Sequence, residues 1–127
     1  MNYFLDALGK YAVFSGRARR SEYWFFVLFC CLIAVVLCAV GFYVGKVTGG
    51  PPTLAVYLVD FFSLLILLPN LAVSVRRLHD VGMTGWWVLL NVVPLGGLVL
   101  IYFFCQDSQP GANAYGPNPK EVAVPAV

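Results

Sequence analysis

Charged residues are scarce in this chain, where eight basic and six acidic residues make up 11% of 127 positions. Soluble domains carry about 25% charged residues. Hydrophobic residues make up 61% of the chain. A single core cannot bury that much apolar surface, since small domains bury about two-thirds of what their unfolded chains expose. The composition therefore excludes an ordinary water-soluble domain and predicts a membrane protein.

Residues that carry chemistry are also few, with one histidine and four cysteines. The cysteines form no C-x-x-C pair, and zinc sites need Cys and His clustered at short spacing. Cysteines inside apolar runs ordinarily serve as small packing residues. The sequence shows neither an activated nucleophile nor a carboxylate pair. We therefore expect no metal site, no cofactor, no enzymatic activity and no nucleic-acid partner.

Three long apolar runs, residues 24–44, 54–75 and 86–104, contain a single charge, Asp60. About 20 helical residues cross a bilayer core of about 30 Å. The pattern predicts an all-α integral membrane protein with three transmembrane helices. We assign residues 1–120 to one membrane domain and expect residues 121–127 to be disordered.

The segments outside the runs predict two further features. Within residues 1–14, Leu5, Leu8 and Tyr11 share one helical face, which is typical of a short amphipathic helix lying in the headgroup region. Beyond Cys105 the chain is rich in Pro, Gly and Asn without periodicity, which predicts an extended C-terminal tail.

The positions of the basic residues predict the orientation. Six of the eight flank one side of the predicted bundle: Lys10, Arg17, Arg19, Arg20, Arg76 and Arg77. Because basic residues concentrate in cytoplasmic loops, we expect a multi-pass protein of the cytoplasmic membrane with a cytoplasmic N-terminus. Pro94, Gly96 and Gly97 interrupt the third run. That run could instead enter and leave on one side, which would return the tail to the cytoplasm.

Polar residues within the runs suggest contacts between helices. Asp60 is costly in hydrocarbon and needs either a structural hydrogen bond or a role in a proton or ion pathway. Asn70 and Asn91 lie five residues from the cytoplasmic ends of their runs, so we expect a hydrogen bond between them. Gly41 and Gly45 form a G-x-x-x-G motif that allows close helix approach, either within this chain or in a homo-oligomer.

Two charged segments should meet at the cytoplasmic ends of the first two helices. Their members are Arg17, Arg19, Arg20 and Glu22 before the first helix, and Arg76, Arg77, His79 and Asp80 after the second. Five guanidiniums against two carboxylates predict a positive surface. Arginine forks bind phosphate and carboxylate groups, and basic clusters beside helix ends attract anionic lipid. Internal ion pairing that only sets the topology is the alternative.

An ordered set of motifs resembles a known family. The motifs are Gly16 to Trp24, Arg76 to Asp80, Gly85 to Trp87, and Gly111, Asn113, Tyr115, Gly116 and Pro119 in the tail. Over residues 3–120 they resemble the domain-of-unknown-function 805 family of small bacterial inner-membrane proteins, the YhaH-like group. Met83 and Thr84 are minor departures from the family pattern. The resemblance implies a bacterial inner membrane and transfers no catalytic or binding residue. If the tail motif acts with the arginine segments, the resemblance favours the re-entrant topology.

Two functional hypotheses follow. The first is a non-enzymatic membrane module whose arginine-rich cytoplasmic face binds anionic lipid headgroups or an acidic protein partner. The second is a small transporter or channel subunit that uses Asp60, Asn70 and Asn91 within an oligomer.

Overall fold

The computed structural model describes Leu5 and residues 8–122, and this part of the chain is helical. Its elements are α1 (Arg20–Thr48), α2 (Thr53–Asp80), a 3-10 helix (Gly85–Val92), α3 (Gly96–Cys105) and α4 (Pro119–Val122). Within these residues the only β pairing is an isolated bridge between Asn113 and Gly116. The expectation of an all-α protein is confirmed.

The helices α1 and α2 form an antiparallel hairpin and contain the first two predicted runs. With 29 and 28 residues, each is about 40 Å long at 1.5 Å per residue. Both are long and apolar enough to cross a membrane. A left-handed residue, Gly49 with φ 69°, ends α1, and the four-residue connection forces the helices to lie side by side.

Glycines bring the two helices into contact near this turn. A Cβ on Gly41 would lie 2.6 Å from the backbone nitrogen of Ala55, and one on Gly45 would lie 3.2 Å from the carbonyl oxygen of Pro51. The G-x-x-x-G face is therefore covered by α2 and the turn of the same chain. Of the two expectations for this motif, the structure shows the contact within the chain, and a homo-oligomer through Gly41 and Gly45 stays a prediction.

The third run does not form one spanning helix, which corrects the prediction for residues 86–104. The 3-10 helix ends at Val92, and Leu95 adopts a left-handed φ of 65° before α3 begins. A Cβ on Gly96 would lie 2.8 Å from the carbonyl carbon of Leu90, so only glycine lets the two limbs approach. Pro94 cannot donate a helical hydrogen bond. The segment is thus a hairpin whose limbs are each about 15 Å long.

The compact core lies at the end of the α1–α2 hairpin opposite the Gly49 turn. Leu78, Leu100 and Phe104 form one buried cluster, and Ala18, Phe26 and Val73 form another. Farther along the helices, apolar side chains such as Val35 and Leu64 are 65% and 71% exposed. Such extensive apolar exposure is unsuited to water and fits a lipid environment.

The chain ends are described only in part. Of the predicted amphipathic helix in residues 1–14, residues 1–4, 6 and 7 lie outside the described part. Leu8, which lies within it, packs against the Ala18, Phe26 and Val73 cluster. At the other end, α4 includes residues 121 and 122, and residues 123–127 lie outside the described part.

Candidate functional site

Three segments that are distant in sequence meet at the core end of the hairpin. The segment before α1 joins the end of α2, because the backbone nitrogen of Ala18 donates to the Arg76 carbonyl at 3.0 Å. The tail joins the same place, because the backbone nitrogen of Gln109 donates to the Asp80 carbonyl at 2.8 Å. The expectation that the two arginine segments lie close together is confirmed.

Asp80 is the centre of this meeting point and is fully buried. Its Oδ1 accepts from Arg17 Nε at 2.9 Å, while its Oδ2 accepts from Arg77 Nη1 at 2.5 Å and from Ser108 Oγ at 2.5 Å. The Asp80 carboxylate thus accepts hydrogen bonds from two buried guanidiniums and from a hydroxyl group of the tail. We call Arg17, Arg77, Asp80 and Ser108 the Asp80 cluster.

The remaining donors of the two guanidiniums bind backbone carbonyls. Arg17 donates to Gly111 at 2.8 Å and to Gln109 at 2.6 Å. Arg77 donates to Phe104 at 3.3 Å and also to Gln106. An arginine has five N–H donors, and here most of them hold the end of α3 and the tail against α2.

A second buried pair lies beside the Asp80 cluster. Arg76 Nη1 donates to Glu22 Oε1 at 2.7 Å, and both residues are buried. The Nε and Nη2 atoms of Arg76 have no hydrogen-bond partner among the described residues. This pair joins α1 to α2 with fewer hydrogen bonds than the Asp80 cluster makes.

His79 precedes Asp80 at the end of α2 and is held by three contacts. Its Nδ1 lies 3.0 Å from the Gly16 carbonyl oxygen, and its ring stacks on Tyr115 with centroids 4.0 Å apart and planes 2° apart. Asn113 Nδ2 donates to the His79 carbonyl at 2.9 Å. The position and plane of the imidazole are therefore set by the segment before α1 and by the tail.

The arginines do not form the single exposed surface that the sequence suggests. Arg17, Arg76 and Arg77 are buried, Arg19 is partly buried, and only Arg20 is exposed. The physical reason is that Glu22, Asp80 and the tail carbonyls supply acceptors inside the protein. Internal pairing, the alternative left open above, accounts for three of the five guanidiniums.

Sequence reasoning missed the partners that the tail contributes, namely Ser108, Gln106, Gln109 and Gly111. Three of these four accept from the arginines through backbone carbonyls, which no residue type signals. The one available indication was that the tail motif accompanies the two arginine motifs in the family that the sequence resembles.

Arg20 stands at the rim of an apolar groove on the outer surface. Its Nη1 donates to the Cys105 carbonyl at 3.2 Å, and its Nε lies 3.9 Å from Asp107 Oδ1. Asp107 is paired with Lys120, whose hydrogen bond lowers the pKa of Asp107. The groove has a volume of about 430 Å³ and is lined by Arg20, Ser21, Trp24, Phe25, Leu28 and Cys105.

The polar residues of the predicted spans are not brought together. Asp60, Asn70 and Asn91 are all exposed, and the structure shows no hydrogen bond between the two asparagines. The expected Asn70–Asn91 bond is therefore corrected. Asn91 Oδ1 lies 3.8 Å from the Cβ that Gly97 would carry, because the break at Leu95 folds α3 back beside the 3-10 helix.

Metal ligands are also dispersed. In Leu5 and residues 8–122, no three His, Cys, Asp or Glu side chains stand together in a way that could hold a metal ion. All four cysteines are free thiols.

Comparison with known proteins identifies clear relatives. The family described as "Protein of unknown function (DUF805)" matches residues 11–117. Inner membrane protein YhaH and inner membrane protein YhaI of Escherichia coli (strain K12) are each 40% identical over 121 residues. That alignment covers 94% of this chain and 98% and 97% of the two relatives. No solved structure matches the chain.

Proposed function

This chain belongs to the DUF805 family, whose function is unknown, and from its geometry we propose that it is a non-enzymatic inner-membrane module that binds anionic phospholipid. The binding site is the Arg20 groove at the cytoplasmic end of the α1–α2 hairpin. The exposed arginine above an apolar groove is the observation that carries the proposal.

The proposed topology has two spanning helices and a re-entrant third segment. Both ends of that segment lie at the arginine end of the hairpin, since Gly85 lies beside His79 and the Phe104 carbonyl accepts from Arg77. The tail follows, so Lys120 joins the six basic residues already at this end, and Lys46 alone remains near the Gly49 turn. The positive-inside tendency then places both chain ends in the cytoplasm.

The groove suits the two parts of a phospholipid. Arg20 uses Nη1 for a carbonyl, and its Nε is too far from Asp107 for a hydrogen bond. Other N–H groups therefore remain for a phosphate, which arginine binds in two-point fashion. Ser21 also lines the groove, but its Oγ is buried, so Arg20 supplies the donors. Trp24 and Leu28 line the path that an acyl chain would follow.

An Arg20→Gln variant is expected to lose most of its preference for anionic lipid. A basic residue near the membrane surface contributes about 1 kcal/mol of attraction to anionic lipid, which corresponds to about a fivefold change. The measurement is the ratio of phosphatidylglycerol to phosphatidylcholine that co-purifies with the protein from membranes containing equal amounts of both.

The matched control is Lys46→Gln, which removes an exposed cation at the opposite end of α1 and should leave the ratio unchanged. The Arg20 groove would be excluded as the lipid site if Arg20→Gln retained the wild-type enrichment. Variants of Arg17, Arg76 and Arg77 are unsuitable for this test because those side chains are buried.

One observation favours a second candidate function, a transporter or channel subunit. Asp60 is the eighth of the 28 residues of α2, is exposed, and has no hydrogen-bond or ion-pair partner in the described part of the chain. A carboxylate costs about 2.5–3.5 kcal/mol at the centre of a transmembrane helix on insertion scales, and part of that cost at the position of Asp60. A second copy of the chain that covers Asp60 would remove this cost and create a polar pathway between protomers.

This second candidate predicts that Asp60→Asn slows the collapse of a pH gradient across proteoliposomes at least several-fold. The control is Asp107→Asn, which changes an exposed acid outside the helices and should behave as the wild type does. Equal rates for all three proteins, with a monomeric mass in native lipid, would exclude the transporter.

A further inference from the structure

His79 faces a cavity that neither proposed function uses. The cavity has a volume of about 440 Å³ and lies between the end of α2, the 3-10 helix and the segment before α1. Phe14, Val75, Trp86 and Leu89 give it apolar walls, and the imidazole is its one titratable group. Its size falls within the usual range of small-molecule pockets, about 300–1,000 Å³.

The contacts of His79 assign which ring nitrogen faces this cavity as an acceptor. A carbonyl oxygen only accepts, so the hydrogen bond to Gly16 assigns the proton to Nδ1. In a neutral imidazole Nε2 then carries the free lone pair. Stacking on Tyr115 prevents the ring from turning away.

The space in front of Nε2 exists because residue 85 is glycine. A Cβ on Gly85 would lie 3.5 Å from Nε2 and 2.7 Å from a methyl group of Val75. His79 is 9% exposed, and Nε2 has no hydrogen-bond partner in the described part of the chain. Nε2 is therefore an acceptor that a ligand in this apolar cavity can reach.

We propose that this cavity binds a membrane-borne amphiphile that carries one hydroxyl on an apolar body, with the hydroxyl donating to His79 Nε2. The apolar walls favour a ligand with an apolar body, and the single acceptor, His79 Nε2, favours a ligand with one hydrogen-bond donor. Trp86 is 80% exposed and stands at the rim of the cavity, so the ligand enters from the lipid at the level of the membrane interface.

The test compares two probes of which one carries a hydroxyl and the other has that hydrogen replaced by a methyl group. Binding of para-hexylphenol and of its methyl ether, para-hexylanisole, is measured by titration calorimetry with the full chain in lipid nanodiscs, and the heat of empty nanodiscs is subtracted. The phenol is expected to bind about fivefold more tightly, since one hydrogen bond contributes about 1 kcal/mol. Decanol in a third titration distinguishes a lipid alcohol from a phenol, and both belong to the proposed class.

His79→Asn tests the role of Nε2 without removing the structural hydrogen bond. The Asn amide nitrogen occupies a position close to that of Nδ1 and can still donate to Gly16, while the acceptor at Nε2 is lost. This variant should bind both aromatic probes equally, whereas His79→Gln, whose amide reaches the position of Nε2, should recover part of the preference. Equal affinity of the wild type for phenol and ether, or an unchanged preference in His79→Asn, would overturn the proposal.

Discussion

An Asp80→Asn substitution is expected to lower the free energy of unfolding by about 3–5 kcal/mol, because it leaves buried arginines without their counter-charge. Asp80 is fully buried and accepts from Arg17, Arg77 and Ser108. Asparagine keeps the size of the side chain but brings a donor where an acceptor is needed. No nearby carboxylate can replace it, since Glu22 is bonded to Arg76.

The measurement is thermal unfolding in mild detergent, combined with limited proteolysis of the tail. The tail should become cleavable between residues 106 and 118 in the variant, because the carbonyls there are held by Arg17 and Arg77. Asp107→Asn is the matched control, as it makes the same chemical change at an exposed acid and should alter neither stability nor cleavage. If the two variants behaved alike, the Asp80 cluster would not be what holds the tail.

A double variant separates the lost pairing from a general effect of changing a buried side chain. Arg17→Gln together with Asp80→Asn should cost less than the sum of the two single changes, since the first removes one of the charges that the second leaves unpaired. Simple additivity would mean that Arg17 and Asp80 contribute independently. If Arg17 and Asp80 form an ion pair in the folded protein, the double variant must lose less stability than the sum of the two single variants.

The sequence was sufficient to predict the two long helices because their signal is local. A continuous apolar run of the right length forms a helix in lipid wherever it lies in the fold, and residues 24–44 and 54–75 lie inside α1 and α2 accordingly. The turn glycines between them are equally readable. The contact of Gly41 with Ala55 could not be predicted in this way. A G-x-x-x-G motif indicates that another helix can approach closely, but it does not indicate which helix does so.

The third segment could not be predicted to the same depth. Pro94 and the two glycines indicated a break, yet the left-handed conformation of Leu95 has no sequence signal, since a leucine rarely adopts it. The 3-10 geometry of Gly85–Val92 is likewise set by packing rather than by the residue types. Both alternatives, a span and a re-entrant hairpin, therefore remained open until the ends of the segment could be located.

The buried arginines show a different limit. Charge counting placed five guanidiniums against two carboxylates and suggested an exposed positive surface. The count omitted backbone carbonyls, which accept hydrogen bonds from Arg17 and Arg77 and belong to no particular residue type. The position of each arginine in the sequence indicated the end of the hairpin at which it lies. Whether its side chain is buried depends on the tail, which packs against that end of the hairpin.

The return of the tail to the arginine end also determines where the C-terminus lies in the membrane. If α1 and α2 span and the third segment only enters and leaves, residue 122 is on the same side as Arg17. A third spanning helix would put it on the opposite side. The two topologies therefore give opposite results for a reporter attached after residue 122, which is cytoplasmic in one and periplasmic in the other.

The most direct measurement is therefore a pair of reporter fusions after residue 122, one to green fluorescent protein and one to alkaline phosphatase, with the same pair after Gly50 as the reference for the opposite side. The re-entrant fold predicts strong fluorescence and an inactive phosphatase at residue 122, with the reverse at Gly50. Active phosphatase and no fluorescence at residue 122 would contradict it, since the tail could not then reach Arg17, Arg77 and Asp80.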